Sequence, residues 1–239
     1  MNDTIGFPDE IDVVYINDRI NGIAERIGEA HGWKVTAKMA SLEDVKCRWT
    51  RTPIVEDRRI DFFISDYLDD APDEVLESLL DNILTSIENG TKRASPEGFK
   101  EYLFSDEFRN NHRRTYLERK DYSEDDGRLS KIADNIKLII DSKRLTVDFN
   151  KIFFGYTDRD SLTFSTIFST VLIPKRFKDE GDKELGMLLY AGLKAIGKGI
   201  HTYDGPIPHL AEYMFEYKEK VDVSEDFYNN VMYETIGGE

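Results

Sequence analysis

Four histidines, one cysteine and two clusters of charge carry whatever chemistry this chain can do. His201 and His209 bracket Asp204 in HTYDGPIPH, a short stretch with the ligand types of a divalent metal site. Gly205, Pro206 and Pro208 mark the same stretch as a solvated loop, and both readings stand at this level. His31 closes a helical pattern, where a cation is mildly favoured, and reads as structural. Cys47, beside Trp49 in an extended pattern, reads as a small buried hydrophobe rather than a nucleophile. One cysteine excludes an internal disulfide and a Cys₄ or Cys₂His₂ zinc site.

The carboxylates Asp66, Asp69, Asp70, Asp73 and Glu74 lack the glycine-turned loop of alternating ligands that calcium requires. They read instead as acids gathered at the start of a helix. The segment 108–120, FRNNHRRTYLERK, has the opposite sign. Arg109, Arg113, Arg114, Arg119 and Lys120 against Glu118 give a local charge of +4, with Tyr116 interleaved. Such a patch has phosphate-binding chemistry. The simpler reading is a solvated helix whose arginines pair with the chain's own carboxylates. The chain as a whole carries 32 Lys+Arg against 47 Asp+Glu, a net charge of −15, which repels a phosphate backbone at long range. No Gly-x-Ser-x-Gly elbow, Walker loop or strand-borne Gly-x-Gly-x-x-Gly is present.

These groups need elements to hold them. With 239 residues, 40% hydrophobic and 12% aromatic, the chain can bury a proper core. No apolar stretch reaches the ~18 residues of a membrane span, and the opening residues do not read as a signal peptide. A soluble, cytoplasmic protein is the expectation. Ile20, Ile23, Ala24 and Ile27 recur at helical spacing, with Gly32 as the C-cap. Segments 34–39, 45–52 and 58–65 read as strands. Segment 69–90 is the clearest helix, with Pro72 in its first turn, a stripe of Leu76, Leu79, Leu80, Ile83 and Ile87, and Gly90 closing it. Ser95 and Pro96 open a helix that runs into 108–120, and 128–143 is amphipathic. Strands are expected through KIFFGYT and along 161–174, then helices over 182–199, 208–220 and 224–236.

A shift of 109 residues lays 73–90 on 182–199 with seven identities in eighteen, on the core stripe and at Gly90/Gly199. Upstream, VKCRWTRT and RRIDFFIS precede the first helix as KIFFGYT and FSTIFSTVLIP precede the second. Each half therefore reads strand, strand, helix.

The second half, with strands ending in LIP, a helix containing LLYAGLKAI and then GIHTYDGPIPHLAEY, resembles the SprT-like zincin metallopeptidases over roughly residues 150–215. The resemblance implies a helix bearing H-E-x-x-H, two imidazoles one turn apart with the glutamate as general base. Here Ala191 and Ala195 stand where the histidines would be and Gly192 where the glutamate would be. In the first half Asn82, Ile83 and Ser86 stand there. Only His209, or His201 in another alignment, corresponds to a third ligand. The resemblance therefore implies a non-catalytic relative with no bound cofactor. The small face made by Ala191, Gly192 and Ala195 is either a vestigial pocket or a seat for close backbone packing.

The expectation is an α+β protein of two zincin-like β-β-α units, residues 1–92 with an N-terminal helix and 146–239 with C-terminal helices, joined by a helical segment over 93–145. Its partner is expected to be a protein or peptide, with no membrane contact. The competing functions are a metal-dependent hydrolase around His201 and His209, and a nucleic-acid module using the 109–120 patch.

Overall fold

The structure is a computed structural model that describes residues 14–52, 58–91, 94–137, 139, 151–197 and 208–236. The fold is α+β, in two compact units that meet in sequence at His112/Arg113. The first contains β1 (Val14–Tyr15), α1 (Asp18–His31), β2 (Lys34–Ala40), β3 (Cys47–Arg51), β4 (Arg59–Ser65), α2 (Asp73–Asn89) and α3 (Glu97–Leu103). The chain then enters α4 (Asp106–Arg119), within which the division falls. The second unit holds β5 (Tyr122–Ser123), α5 (Arg128–Lys137), β6 (Phe153–Thr157), β7 (Thr163–Ser165), β8 (Thr170–Pro174), α6 (Asp182–Gly197), α7 (Pro208–Lys218) and α8 (Glu225–Ile236).

The first sheet has the order β1-β2-β4-β3, and the second the order β5-β6-β8-β7. In each, the central pair is parallel and both outer strands run antiparallel to their neighbours. Each unit therefore reads β-α-β-β-β-α, and a single 3₁₀ turn (Asp66–Leu68, Lys175–Phe177) links the last strand to the last helix. The β-β-α description was too short. It omitted the two-residue outer strands, and it left out of the second unit α5, the counterpart of the first unit's N-terminal helix α1. Residues 93–145 are consequently not one connecting segment, since β5 and α5 belong to the second unit.

Strand correspondence also differs from the expectation. Trp49 of β3 sits opposite Phe62, and Phe164 of β7 sits opposite Val171, 109 residues beyond Phe62. VKCRWTRT therefore matches β7, while KIFFGYT matches β2. Segment 161–174 is two strands and a turn. Ser165 Oγ accepts the Phe168 N–H at 3.2 Å, and Ser169 adopts a left-handed φ of 51°, so the chain reverses there despite its β-branched content. The single helix expected from Ser95 onward breaks into α3 and α4 at Phe104–Ser105, where Ser105 Oγ accepts the Phe108 N–H. The continuation expected for α5 beyond residue 139 lies outside the described residues.

The cores follow the alternation of the strands. In the first unit Val35, Ala37, Met39, Ile60, Phe62 and Ile64 are buried, and α1 and α2 supply Ile20, Ile23, Leu76, Leu80 and Leu84. Asn17 caps α1 by accepting the Ile20 N–H, and Gly32 ends it at φ 70°. In the second unit β8 is buried at every residue, and α6 is buried almost all round, from Leu185 to Ile196. None of the described helices is long and apolar enough to cross a membrane.

Candidate functional site

At the motif positions of α6, Ala191 and Ala195 are fully buried and Gly192 is buried with them. A Cβ on Gly192 would lie 2.7 Å from Val171 Cγ1 on β8. At Gly192 the small face is thus filled by the sheet, and glycine is what allows the helix to approach. The corresponding Asn82, Ile83 and Ser86 of α2 are only partly buried, and Ser86 Oγ donates to the Asn82 carbonyl at 2.8 Å. His201 and Asp204 lie outside the described residues. His209 falls in the first turn of α7.

The basic segment does not form one exposed face. Arg109 pairs with Asp106 at 3.3 Å and Arg114 with Glu118 at 2.9 Å. Lys120 is 3% exposed, its ammonium 5.6 Å from the centre of the Tyr116 ring, and its carbonyl accepts Thr157 Oγ1. Arg113 has its Nε buried, and Arg119 gives its carbonyl to Arg159. The acid cluster is occupied by the protein's own donors. Asp69 accepts Tyr15 and Asn17, Asp70 accepts Tyr102 and His112, and Asp73 pairs with Arg19.

Arg19 does more than pair. Its guanidinium also donates to the carbonyls of Asp69 and Ala71, closing the 3₁₀ turn onto α1. Arg128 repeats the clamp in the second unit, donating to the carbonyls of Lys178 and Glu180 and to the Asp182 carboxylate. All four corresponding positions, Arg19/Arg128, Asp69/Lys178, Ala71/Glu180 and Asp73/Asp182, are 109 residues apart. Sequence reading missed this pair. The signal was available in DRINGIAERI and GRLSKIADNI, which share Arg, Ile, Ala and Ile at the same offset.

Two further polar clusters were missed. His31 sits between Asp81 (2.9 Å) and Glu88 (3.0 Å) of α2, and Glu88 also accepts the Trp33 indole N–H. Hydrogen bonds to the two carboxylates raise the imidazole pKa, and the same bonds lower that of Glu88. In the second unit Glu216 of α7 accepts Tyr190 Oη at 2.6 Å and pairs with Lys194 and Lys220. Burial alone would raise its pKa, but the bonds from Tyr190, Lys220 and Lys194 outweigh it and hold the carboxyl at about 2. A carboxylate so saturated ties α6 to α7 and is a poor base. Cys47 is equally inert, since burial pushes its thiol up to about 12.

The longer of the two outer strands of the first sheet is β3, bonded to β4 alone in that sheet. Lys46 O accepts Ser65 N–H, and Thr52 N–H donates to Arg59 O. By the two-residue alternation, the backbone groups of Cys47, Trp49 and Arg51 then point away from the sheet. Trp49 is 44% exposed, and Arg51 is exposed with its guanidinium 5.2 Å from the Trp33 ring centre. The matching strand β7 is buried at all three residues. A groove of about 390 Å³ carries both signs of charge, with Glu25, Glu29, Lys34 and Arg59 among the residues lining it. Comparison with protein-family models, with curated proteins and with solved structures finds no match to this chain.

Proposed function

We propose that this chain is a non-catalytic, zincin-like protein of the cytoplasm that binds a protein or peptide partner, with β3 as the docking edge. The observation that carries the reading is the outward backbone of Cys47, Trp49 and Arg51, a row of donors and acceptors open to an added strand. Two features support the non-catalytic part. The motif positions on α6 hold Ala191, Gly192 and Ala195, none of which can ligate or take a proton, and Val171 occupies the space beside Gly192. The descent of both units from one β-α-β-β-β-α ancestor is part of the same reading, supported by the shared strand order and by the paired arginine clamps.

Unfolded casein is expected to stay intact on incubation with the protein, with or without added zinc. A neutral, end-capped seven-residue Thr/Val peptide is expected to slow amide exchange at Cys47, Trp49 and Arg51. Chelator-sensitive casein cleavage would overturn the non-catalytic assignment. Unchanged exchange at all three amides would overturn the docking edge.

A further inference from the structure

The partner's chemistry can be taken further, and the step rests on the strand-addition reading above. Over residues 46–52 the chain carries Lys46, Arg48 and Arg51 and no carboxylate, in a protein of net charge −15. Their placement on β3 is ordered. Arg48 and Thr50 share a face with Asp61 and Phe63, their partners on β4, whereas Cys47, Trp49 and Arg51 share the other with Ile60, Phe62 and Ile64. Arg48 has no ion pair among the described residues. Trp49 offers an exposed ring at the middle of the strand.

We infer that β3 of the first unit receives an extended acidic segment, its acidic side chains beside Arg48 and an apolar one against Trp49. Cross-strand neighbours on one face lie within reach of each other, so alternation along the incoming strand sets which side chain meets which. The sign of the charge follows from the edge. A basic segment would meet Arg48 and Arg51 at close range, while an acidic one offsets them and gains the charge-assisted geometry that arginine favours. The chain's net charge of −15 repels an acidic partner at long range, so the attraction at this edge acts only at short range. The second unit cannot do the same, because β7 is buried throughout.

The probe is a fluorescein-labelled, end-capped peptide Thr-Glu-Val-Glu-Val-Glu-Thr, whose alternation reads the same in either strand direction. Its basic counterpart has lysine at the glutamate positions. Anisotropy titration of the full chain is expected to show the acidic peptide binding at least tenfold more tightly than the basic or neutral ones. Binding should weaken as salt rises and be lost when alternate peptide amides are N-methylated. Arg48→Glu on the protein should reverse the preference, and circular dichroism will show whether that variant is folded. Equal binding of acidic, neutral and basic peptides would overturn this inference and leave strand addition standing. No binding of any peptide would overturn both. Acidic binding indifferent to N-methylation would place the peptide elsewhere than on the strand edge and also overturn the inference.

Discussion

At the scale of single residues, Gly192 is held by close packing. Its missing side chain is the space Val171 occupies, so even one methyl must push β8 or α6 aside. Gly192→Ala is expected to destabilise the protein by about 1–3 kcal/mol through overpacking, read as a lower urea midpoint with an unchanged slope. Alanine's better helix propensity, about 1 kcal/mol, offsets only part of that. His31 sets a pH dependence. Its pKa is raised above 6.5, so its stabilising effect is complete below about pH 6.5 and fades as pH rises through the folded value. Glu216 acts in the opposite direction. Its contribution is present above about 4.5 and lost as pH falls toward about 2. Thermal melts across pH are therefore expected to show a fall on each side, and His31→Gln should remove the alkaline fall while leaving the acid one.

At the scale of elements, the arginine clamps explain how a short 3₁₀ turn can aim a helix. Each guanidinium holds two carbonyls and the first helical aspartate at once, fixing where α2 and α6 start. A lysine cannot span three acceptors with the same planar fork. Arg19→Lys and Arg128→Lys are each expected to cost about 1–2 kcal/mol in chemical denaturation, the lower end reflecting their partial exposure. The helices themselves were legible, because a leucine stripe and an αL glycine are local signals. The clamps were not, since they join residues some fifty positions apart in sequence. Strand pairing was illegible for a related reason. The offset between matching positions is 109 at β4 and β8 but 117 between Met39 and Tyr156, so no single shift aligns all the strands. The turn at Ser169 was hidden because β-branched content spoke for a strand while one serine hydroxyl and one left-handed residue decided otherwise.

At the scale of the whole chain, two units share one strand order but differ in what they bury. The first keeps an outer strand with an exposed tryptophan and partly buried motif positions on α2. The second has buried the matching strand and filled the matching helix face. The edge residues were visible in the sequence as Cys47, Trp49 and their arginine neighbours, but nothing there said which backbone groups would face outward. That depends on register, which the Lys46–Ser65 and Thr52–Arg59 bonds settle. Amide exchange in the free protein is expected to be faster at Trp49 than at Arg48 and Thr50, because only the latter two face β4.

The shared strand order also burdens the chain while it folds. β4 and β8 follow the same path between a parallel and an antiparallel neighbour, so each strand meets two slots of the right shape before either sheet is complete. Among the positions at which they differ, one exchanges a charge for a hydroxyl. Asp61 on β4 is bound by Thr36 and Arg59, whereas Thr170 on β8 is wholly enclosed. A chain that put β4 into the second sheet would part Asp61 from Thr36 and enclose its charge, and enclosing a charge is costly. Asp61→Thr removes the sorting charge. Its refolding from urea is expected to gain a slow phase and lose yield with little change in equilibrium stability, because the substitution lets strands exchange places between the two halves of one molecule.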